Sequence, residues 1–190
     1  LMESNSNNPG SVPEENKSVQ EDPATFQKIE GFLKENNIQF TLLTHEPVLT
    51  SKEAAQIRGV SLASGAKAML LKDNSKVIQE SLYYLAVMSA SRKFSWKLVK
   101  KILKIKNIRF ATHEEVFEVT KCITGAVPPF GSTFGIPTIV DPSLKEQGDS
   151  INFNCGLRTH SVRMQVDDYL SLEKPKLVAV FTEEENEENQ

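Results

Sequence analysis

The sequence predicts an α+β fold in which helices surround a mixed, largely antiparallel β-sheet. Short β-rich segments and helical segments alternate along the chain, but without the regular strand and helix period of a doubly wound fold. Of the 190 residues, 39% are hydrophobic, which suits a globular protein with one core. No apolar run approaches the roughly 20 residues of a membrane helix. We therefore predict one domain, over residues 23–181, in a cytoplasmic protein without a membrane partner.

Three helices have start signals in the sequence. Asp22 as N-cap, with Pro23 at the first helical position, predicts a helix that reaches about Asn36. Two further starts fit a capping box, in which a threonine hydroxyl and a glutamate three residues later satisfy each other's backbone donors. The two pairs are Thr50 with Glu53 and Thr112 with Glu115. Gly59 predicts the end of the helix that the first pair begins.

The β-rich segments predict a hairpin and several further strands. The runs at 68–71 and 77–88 flank Asp73-Asn-Ser75, whose turn-forming residues favour a hairpin. Other strands are predicted at 38–43, 136–140, 151–153, 161–166 and 177–181, with a short helix over 167–172. This order underlies the prediction of a mixed sheet.

A lysine-rich amphipathic helix is predicted over residues 95–105. Its apolar residues recur at helical spacing, so the lysines project from the remaining face. Eight basic residues and no acidic one lie between Ser89 and Thr112: Arg92, Lys93, Lys97, Lys100, Lys101, Lys104, Lys106 and Arg109. Such a face is commonly just solvated, but the same pattern is expected of a surface that contacts phosphate backbones. The charges alone leave both interpretations open.

Both ends of the chain are polar. Residues 1–22 are rich in Asn, Ser, Glu and Pro, and residues 182–190 are mostly acidic or amide. Such segments cannot bury enough apolar surface to offset the entropy of ordering. We predict a disordered leader over the first range, and a disordered acidic tail, or a linker, over the second.

Few residues could form a conventional catalytic or metal site. The three histidines, His45, His113 and His160, do not form a metal-binding pattern, and Cys122 and Cys155 have no CxxC partner. Neither a nucleophilic-serine elbow nor a P-loop is present. We therefore predict no metal, no cofactor and two reduced, structural cysteines.

The loop over residues 125–131 combines two glycines and two adjacent prolines between β-rich segments. Gly125 permits close approach of another molecule, and Pro128 with Pro129 stiffens the backbone, so its peptide dipoles could hold a small polar ligand. The alternative is an ordinary tight turn. Lys67 is similarly ambiguous, because it begins an apolar strand and either snorkels to solvent or points into a polar cleft.

Taken together, these residues resemble the YbaK and prolyl-tRNA-synthetase-associated (ProX-type) editing-domain family. The resemblance covers residues 26–172 and rests on Lys67, on the loop at 125–131 and on Ile136-Pro-Thr-Ile-Val-Asp141. Thr44-His-Glu-Pro47, followed by residues 50–59, is also similar to members that act on mischarged proline tRNA. The resemblance implies a barrel-like, YbaK-like α+β fold. It also implies hydrolysis of the ester that joins a wrong amino acid to the tRNA 3′ end.

The resemblance further implies roles for particular residues. The catalytic lysine and the GxxxP loop of the family match Lys67 and Gly125, Ala126, Val127, Pro128 and Pro129. Substrate contacts are expected at Thr44, His45, Thr50, Gly131 and His160, and tRNA contacts at Arg92, Lys93, Lys97, Lys100, Lys101 and Lys104. Because no general base is evident, we expect a water molecule, positioned by the loop and a ribose hydroxyl, to attack the ester.

The predicted function is an editing hydrolase for mischarged proline tRNA. Alanine is the preferred amino acid, and cysteine, serine and threonine remain open, because a methylene in an apolar pocket is worth only about 1 to 3 kcal/mol. The alternative is a catalytically silent module that binds tRNA for a prolyl-tRNA synthetase, in cis or in trans. Deacylation that depends on Lys67 favours the enzyme, whereas salt-dependent binding without deacylation favours the module.

Overall fold

Helices surround the sheets in the computed structural model, which describes residues 21–78, 80–146 and 148–184. The α-helices in these ranges are α1 (Ala24–Glu35), α2 (Ser51–Arg58), α3 (Trp96–Leu103), α4 (His113–Thr120) and α5 (Val166–Glu173). Short 3-10 helices lie at Leu62–Ser64, Gly131–Phe134 and Pro142–Lys145. The predicted leader, apart from its last two residues, lies outside the described residues.

The strands form three sheets among the described residues. The first five strands are β1 (Phe40–Thr44), β2 (Ala66–Asp73), β3 (Tyr83–Ser89), β4 (Arg92–Phe94) and β5 (Ile108–Phe110). The others are β6 (Thr138–Val140), β7 (Ser150–Asn154), β8 (His160–Gln165), β9 (Leu177–Val178) and β10 (Thr182–Glu184). The main sheet has the order β5-β2-β3-β6-β9, beside a β1-β8-β7 sheet and a β4-β10 pair.

Most strand pairs are antiparallel, as predicted. In the main sheet β2 runs antiparallel to β3 and β5, whereas the β3-β6 and β6-β9 pairs are parallel. A parallel bridge between Gly65 and Asn152 brings β7 beside the start of β2. This bridge places the end of β7 near Lys67, which lies opposite Met88 of β3.

Capping geometry confirms the two predicted capping boxes, whereas α1 begins one residue later than predicted, at Ala24 with Pro23 as its N-cap. The Ala24 amide donates to Asp22 Oδ1 over 2.8 Å at the start of α1. Both capping boxes are complete, with the Thr50 hydroxyl accepting from the Glu53 amide, and the same arrangement at the start of α4. Gly59 ends α2 at φ 65°, in the left-handed region that glycine adopts without steric cost.

The core occupies both faces of the main sheet. In β3, Leu85 and Val87 belong to one cluster, whereas Tyr84, Ala86 and Met88 belong to the other. This alternation follows from the two-residue period of a strand. The larger cluster includes residues of α1, α4 and α5, and the smaller one is covered by α3.

Several details of the sequence-based predictions need correction. The described strands form open sheets and not a closed barrel, because β5 and β9 are separate edges of the main sheet. The acidic tail was predicted from residue 182, but Thr182–Glu184 forms β10, which pairs with β4. Residues 185–190 lie outside the described part of the chain. Neither β4 nor β5 was predicted, because each has only three residues.

Candidate active site

The loop over residues 125–129 is held in place by its carbonyl oxygens. Gly125 adopts φ 91°, a backbone conformation that side chains disfavour. Asn154 Nδ2 donates to Gly125 O over 2.7 Å, the Gly156 amide to Ala126 O over 2.8 Å, and the Tyr169 hydroxyl to Pro129 O over 2.8 Å. These three anchors come from β7, the turn after it and α5, so the loop is fixed by distant parts of the fold.

Two amide groups of the loop could serve a ligand. Pro128 and Pro129 have no N–H, and the Ala126 amide donates to Ile123 O over 3.0 Å. Gly125 and Val127 therefore supply the remaining N–H groups of this five-residue loop. Both residues line a cavity, which gives these amides a place beside a bound carbonyl group.

A cavity of about 210 Å³ lies beside the loop, and we call it the active-site cavity. Its walls come from α2, the start of β2, the loop and the end of β7. Its polar lining residues are Thr50, Ser51, Arg58, Ser61, Lys67, Thr124 and Asn154. Apolar residues, mainly alanines, complete the lining.

Arg58 and Asn154 connect α2 to the loop. Arg58 Nη2 donates to Asn154 Oδ1 over 2.6 Å, and the Asn154 amide nitrogen donates onward to Gly125 O. Burial lowers the pKa of Arg58 to about 10. Its hydrogen-bond partners Asn154 and Ser161 are neutral, so the guanidinium charge is not compensated by a carboxylate among the described residues. Arg58 therefore brings a positive charge to the wall of the cavity.

His45 is linked to this network without lining the cavity. Its Nδ1 lies 2.7 Å from Glu46 O, and its Nε2 lies 2.6 Å from Ser161 Oγ. Because a carbonyl oxygen can only accept, Nδ1 donates to Glu46 O, while Nε2 and the Ser161 hydroxyl share the second hydrogen bond. Arg58 Nε donates to the same hydroxyl over 2.8 Å. His45 therefore helps to fix Arg58 through the Ser161 hydroxyl that both residues contact.

The predicted site residues fall into two groups. Thr50, Lys67, Gly125 and Val127 line the active-site cavity together. Of the other seven, six are Thr44, His45, Ala126, Pro128, Pro129 and His160, which do not line it, and the seventh is Gly131. Thr44 and His160 pair across β1 and β8, and the His160 ring packs 4.5 Å from that of Phe26.

Gly131 also lies away from the cavity lining, where a substrate contact was expected. A Cβ at this position would lie 2.3 Å from Thr138 Oγ1 and 2.8 Å from Ile136 O. Glycine is thus required because the backbone of the next segment approaches closely. The glycine serves packing under the loop, and the expectation of a substrate contact is corrected accordingly.

The basic block is less uniform than its sequence indicated. Arg92 forms ion pairs with Glu146 and Glu184, and Arg109 pairs with Glu115 at 2.7 Å. Lys93 is exposed and lies opposite Glu183 in the β4-β10 pair. Lys97, Lys100, Lys101 and Lys104 are exposed on or just after α3. The surface available to phosphates is therefore the lysine face of α3, and Arg92 is mostly engaged within the protein.

Cys155 is unsuited to act as a nucleophile. Burial raises the pKa of its thiol to about 12, and the residue is fully buried. A thiol is nucleophilic as the thiolate, which is scarce at neutral pH under these conditions. Within the described residues, no cluster of His, Cys, Asp and Glu could hold a metal ion. None of the helices in the same ranges is long and apolar enough to cross a membrane.

These features place the chain in a known class. A family model described as "Aminoacyl-tRNA editing domain" matches residues 45–172. This range contains the capping box of α2, Lys67, the loop and Asn154. The chain belongs to the aminoacyl-tRNA editing domain family, and its class of enzyme is the aminoacyl-tRNA deacylases.

Curated relatives agree with this class, and a solved structure shares the fold. The chain is 31% identical over 154 residues to the Multifunctional Ser/Thr-tRNA deacylase ProXp-y of Escherichia coli K12, covering 81% of this chain and 91% of that protein. It is 28% identical to the Prolyl-tRNA editing protein ProX of Acetoanaerobium sticklandii, covering 62% and 72%. A solved structure of a candidate trans-editing enzyme for prolyl tRNA synthetase shares the fold, with a TM-score of 0.70 and 23% identity over 84% of this chain and 97% of that one.

Sequence reasoning missed Arg58, Asn154 and Ser161. Arg58 is the last residue of a short helix, where a basic residue is common for reasons unrelated to function. Asn154 and Ser161 face each other across the β7-β8 pair. The sequence signal here was a polar residue, Asn154, directly after the β-rich segment at 151–153, and it does not indicate that Arg58 is the partner.

Proposed function

We propose that this protein hydrolyses tRNA that carries a small, wrong amino acid, with alanine on proline tRNA as the preferred substrate. The observation that carries the proposal is the juxtaposition of Lys67 with Gly125 and Val127 around a cavity of about 210 Å³. The cavity would have to hold the ester and part of the ribose as well as the side chain, so its volume favours a small aminoacyl group. Lining alanines such as Ala54, together with Val60, would exclude larger side chains by volume.

Serine and threonine on tRNA are the second candidate substrates. The cavity lining contains four hydroxyl groups, from Thr50, Ser51, Ser61 and Thr124. Such groups can hydrogen-bond a substrate hydroxyl, and a site built to do so rejects substrates that lack it. The name of the Escherichia coli relative, a Ser/Thr-tRNA deacylase, also supports this alternative.

The proposed chemistry is attack of a water molecule on the ester carbonyl carbon. The C–O bond to the ribose breaks, and the ribose oxygen takes up a proton. The amides of Gly125 and Val127 would donate to the oxyanion that develops, and each such donor is typically worth about 2.7 to 4 kcal/mol. No Asp, Glu or His is among the described residues of the cavity lining, so a neighbouring ribose hydroxyl is the proposed proton relay.

Lys67 is proposed to stabilise negative charge at the reacting end of the substrate. Its ammonium could approach the oxyanion or the terminal phosphate as a compact cation. Arg58 adds a second positive charge through the network that holds the loop. In this scheme Lys67 is a catalytic residue, whereas Arg58 and Asn154 are positioning residues.

The lysine face of α3 is the proposed contact for the tRNA backbone. Its exposed lysines would release counterions on binding, so affinity would fall as salt rises. A prolyl-tRNA synthetase, linked in cis or acting in trans, is the proposed partner. The name of the Acetoanaerobium sticklandii relative, a prolyl-tRNA editing protein, supports this part of the proposal.

The test is a panel of tRNAs charged with alanine, serine, threonine, cysteine or proline, scored for amino-acid release by the purified protein. We expect fastest release of alanine from proline tRNA and no release of proline. Fastest release of serine or threonine would favour the second candidate. No release above the enzyme-free rate, with tRNA binding retained, would overturn the proposal in favour of a silent binding module.

A further inference from the structure

A second depression adjoins the active-site cavity across the loop. It has a volume of about 420 Å³ and is lined by residues of β2, α4 and the segment from Phe110 to Glu114. We call it the adjoining groove. It shares five lining residues with the active-site cavity: Ala68, Met69, Thr124, Gly125 and Val127. A ligand that occupies the cavity can therefore continue directly into the groove.

Phe110 provides the groove with a partly exposed aromatic ring that is fixed by packing against other rings. It ends β5, the edge strand of the main sheet, and is 43% exposed. Its ring lies 4.5 Å from the ring of Trp96 and 5.1 Å from that of Phe94, measured between centroids. Trp96 begins α3, so the same cluster places the lysine face beside the groove.

The two depressions differ in charge. The active-site cavity is lined by Arg58 and Lys67, whereas the described lining residues of the groove include no Lys or Arg. The titratable residues of the groove lining are instead His113, whose Nδ1 lies 2.6 Å from Thr124 Oγ1, and Glu114, whose pKa lies below its ordinary value through hydrogen bonds at the start of α4. An ionised carboxylate disfavours a phosphate there. It is compatible with a neutral aromatic group that carries amine donors.

We propose that the adjoining groove binds the terminal nucleobase of the tRNA 3′ end, stacked on Phe110. The inference rests on the proposed function, because it places the ester of the same nucleotide in the active-site cavity. Every base has a π-face that can stack on an aromatic side chain, and a base at an unpaired end is available for this. The preceding phosphates would then run towards the lysine face of α3.

The experiment compares two uncharged RNA hairpins that mimic the acceptor end and carry a 5′ fluorophore. One ends in CCA and the other in CC followed by an abasic ribose. Fluorescence anisotropy gives the Kd of each for the wild type, Phe110→Leu and Phe110→Tyr. Leucine retains apolar packing on Trp96 but removes the aromatic face, whereas tyrosine retains that face.

We expect the wild type and Phe110→Tyr to bind the CCA hairpin about 5- to 100-fold more tightly than the abasic one, from the usual worth of one stacked base. Phe110→Leu should bind both hairpins equally. Equal Kd values for the two hairpins with the wild type would overturn the inference, and so would an unchanged preference in Phe110→Leu.

Binding of uncharged hairpins does not depend on hydrolysis, so the groove assignment and the proposed function can each be refuted without the other. Deacylation of charged tRNA without a base preference would sink the groove assignment and leave the proposed function standing. A base preference that requires Phe110, in a protein that releases no amino acid, would support the groove and refute the proposed function.

Discussion

Replacing Asn154 should slow catalysis by releasing the loop, although Asn154 need not contact the reacting atoms. Its side chain accepts from Arg58 Nη2 over 2.6 Å and donates to Gly125 O over 2.7 Å. Asn154 thus helps to fix the peptide group between Gly125 and Ala126, which lies between the Gly125 and Val127 amides. Loss of this hydrogen bond should let the flanking amides of Gly125 and Val127 shift from the positions in which they are proposed to face an oxyanion.

The magnitude follows from the two hydrogen bonds. A neutral hydrogen bond contributes about 0.5 to 1.5 kcal/mol to stability, and one to a charged group about 1.5 to 3 kcal/mol. Asn154→Ala should therefore destabilise the protein by about 2 to 4 kcal/mol. Complete loss of one oxyanion donor lowers kcat by about 100- to 1000-fold, so partial misplacement should lower it by about 10- to 100-fold.

Asn154→Asp separates the two contacts. Aspartate retains an acceptor for Arg58 but has no donor for Gly125 O, so it should remain folded and still lose activity. Steady-state deacylation gives kcat and KM, and urea unfolding gives the free energy of unfolding. We expect kcat to fall in both variants with KM little changed, and stability to fall mainly in Asn154→Ala. A kcat within twofold of wild type in Asn154→Asp would refute the positioning argument.

Three further predictions follow from the same structure. Glu115 accepts hydrogen bonds from Arg109 and Lys72, and these partners hold its pKa well below the usual range. The folding stability that this carboxylate contributes is therefore present above the unfolded-state pKa of about 4.3 and is lost as the pH falls. Glu115→Gln should therefore cost about 1 to 2 kcal/mol in urea unfolding at pH 7, and a difference from wild type that persists undiminished at pH 2 would contradict this. Changing Lys100 and Lys101 to Glu should reduce the steepness of log K against log salt for tRNA binding by about 2. The control Arg92→Ala should change that slope by less than 1, because Arg92 is paired with Glu146 and Glu184. Equal effects of the two changes would count against the lysine face. Iodoacetamide at pH 8 should leave deacylation intact, since Cys155 is buried with a pKa of about 12; inactivation that tracks its alkylation would reverse that view.

Local signals in the sequence were sufficient for much of the fold. Both capping boxes form as predicted, because each depends on residues only three positions apart. The hairpin of β2 and β3 and the amphipathic α3 were also predictable from periodicity. Lys67 and Gly125 come together at one cavity, which the resemblance implied and no local pattern could establish.

The rest depends on contacts between residues that are distant in sequence. Arg58 and Asn154 are 96 positions apart, and neither has a local pattern that indicates the other. The same holds for Arg92, which appeared uncompensated within its own segment but meets Glu146 and Glu184 in the fold. Gly131 lies in the predicted loop, but the need for glycine at this position comes from the close approach of Ile136 and Thr138.

The central claim is that Lys67, beside the loop amides, stabilises the transition state of ester hydrolysis. The most direct measurement is single-turnover release of alanine from mischarged proline tRNA by the wild type, Lys67→Arg and Lys67→Ala, with unfolding midpoints measured in parallel. We expect release by the wild type, partial activity in Lys67→Arg, and a rate about 10- to 100-fold lower in Lys67→Ala at unchanged stability. Release by Lys67→Ala at the wild-type rate would contradict the account.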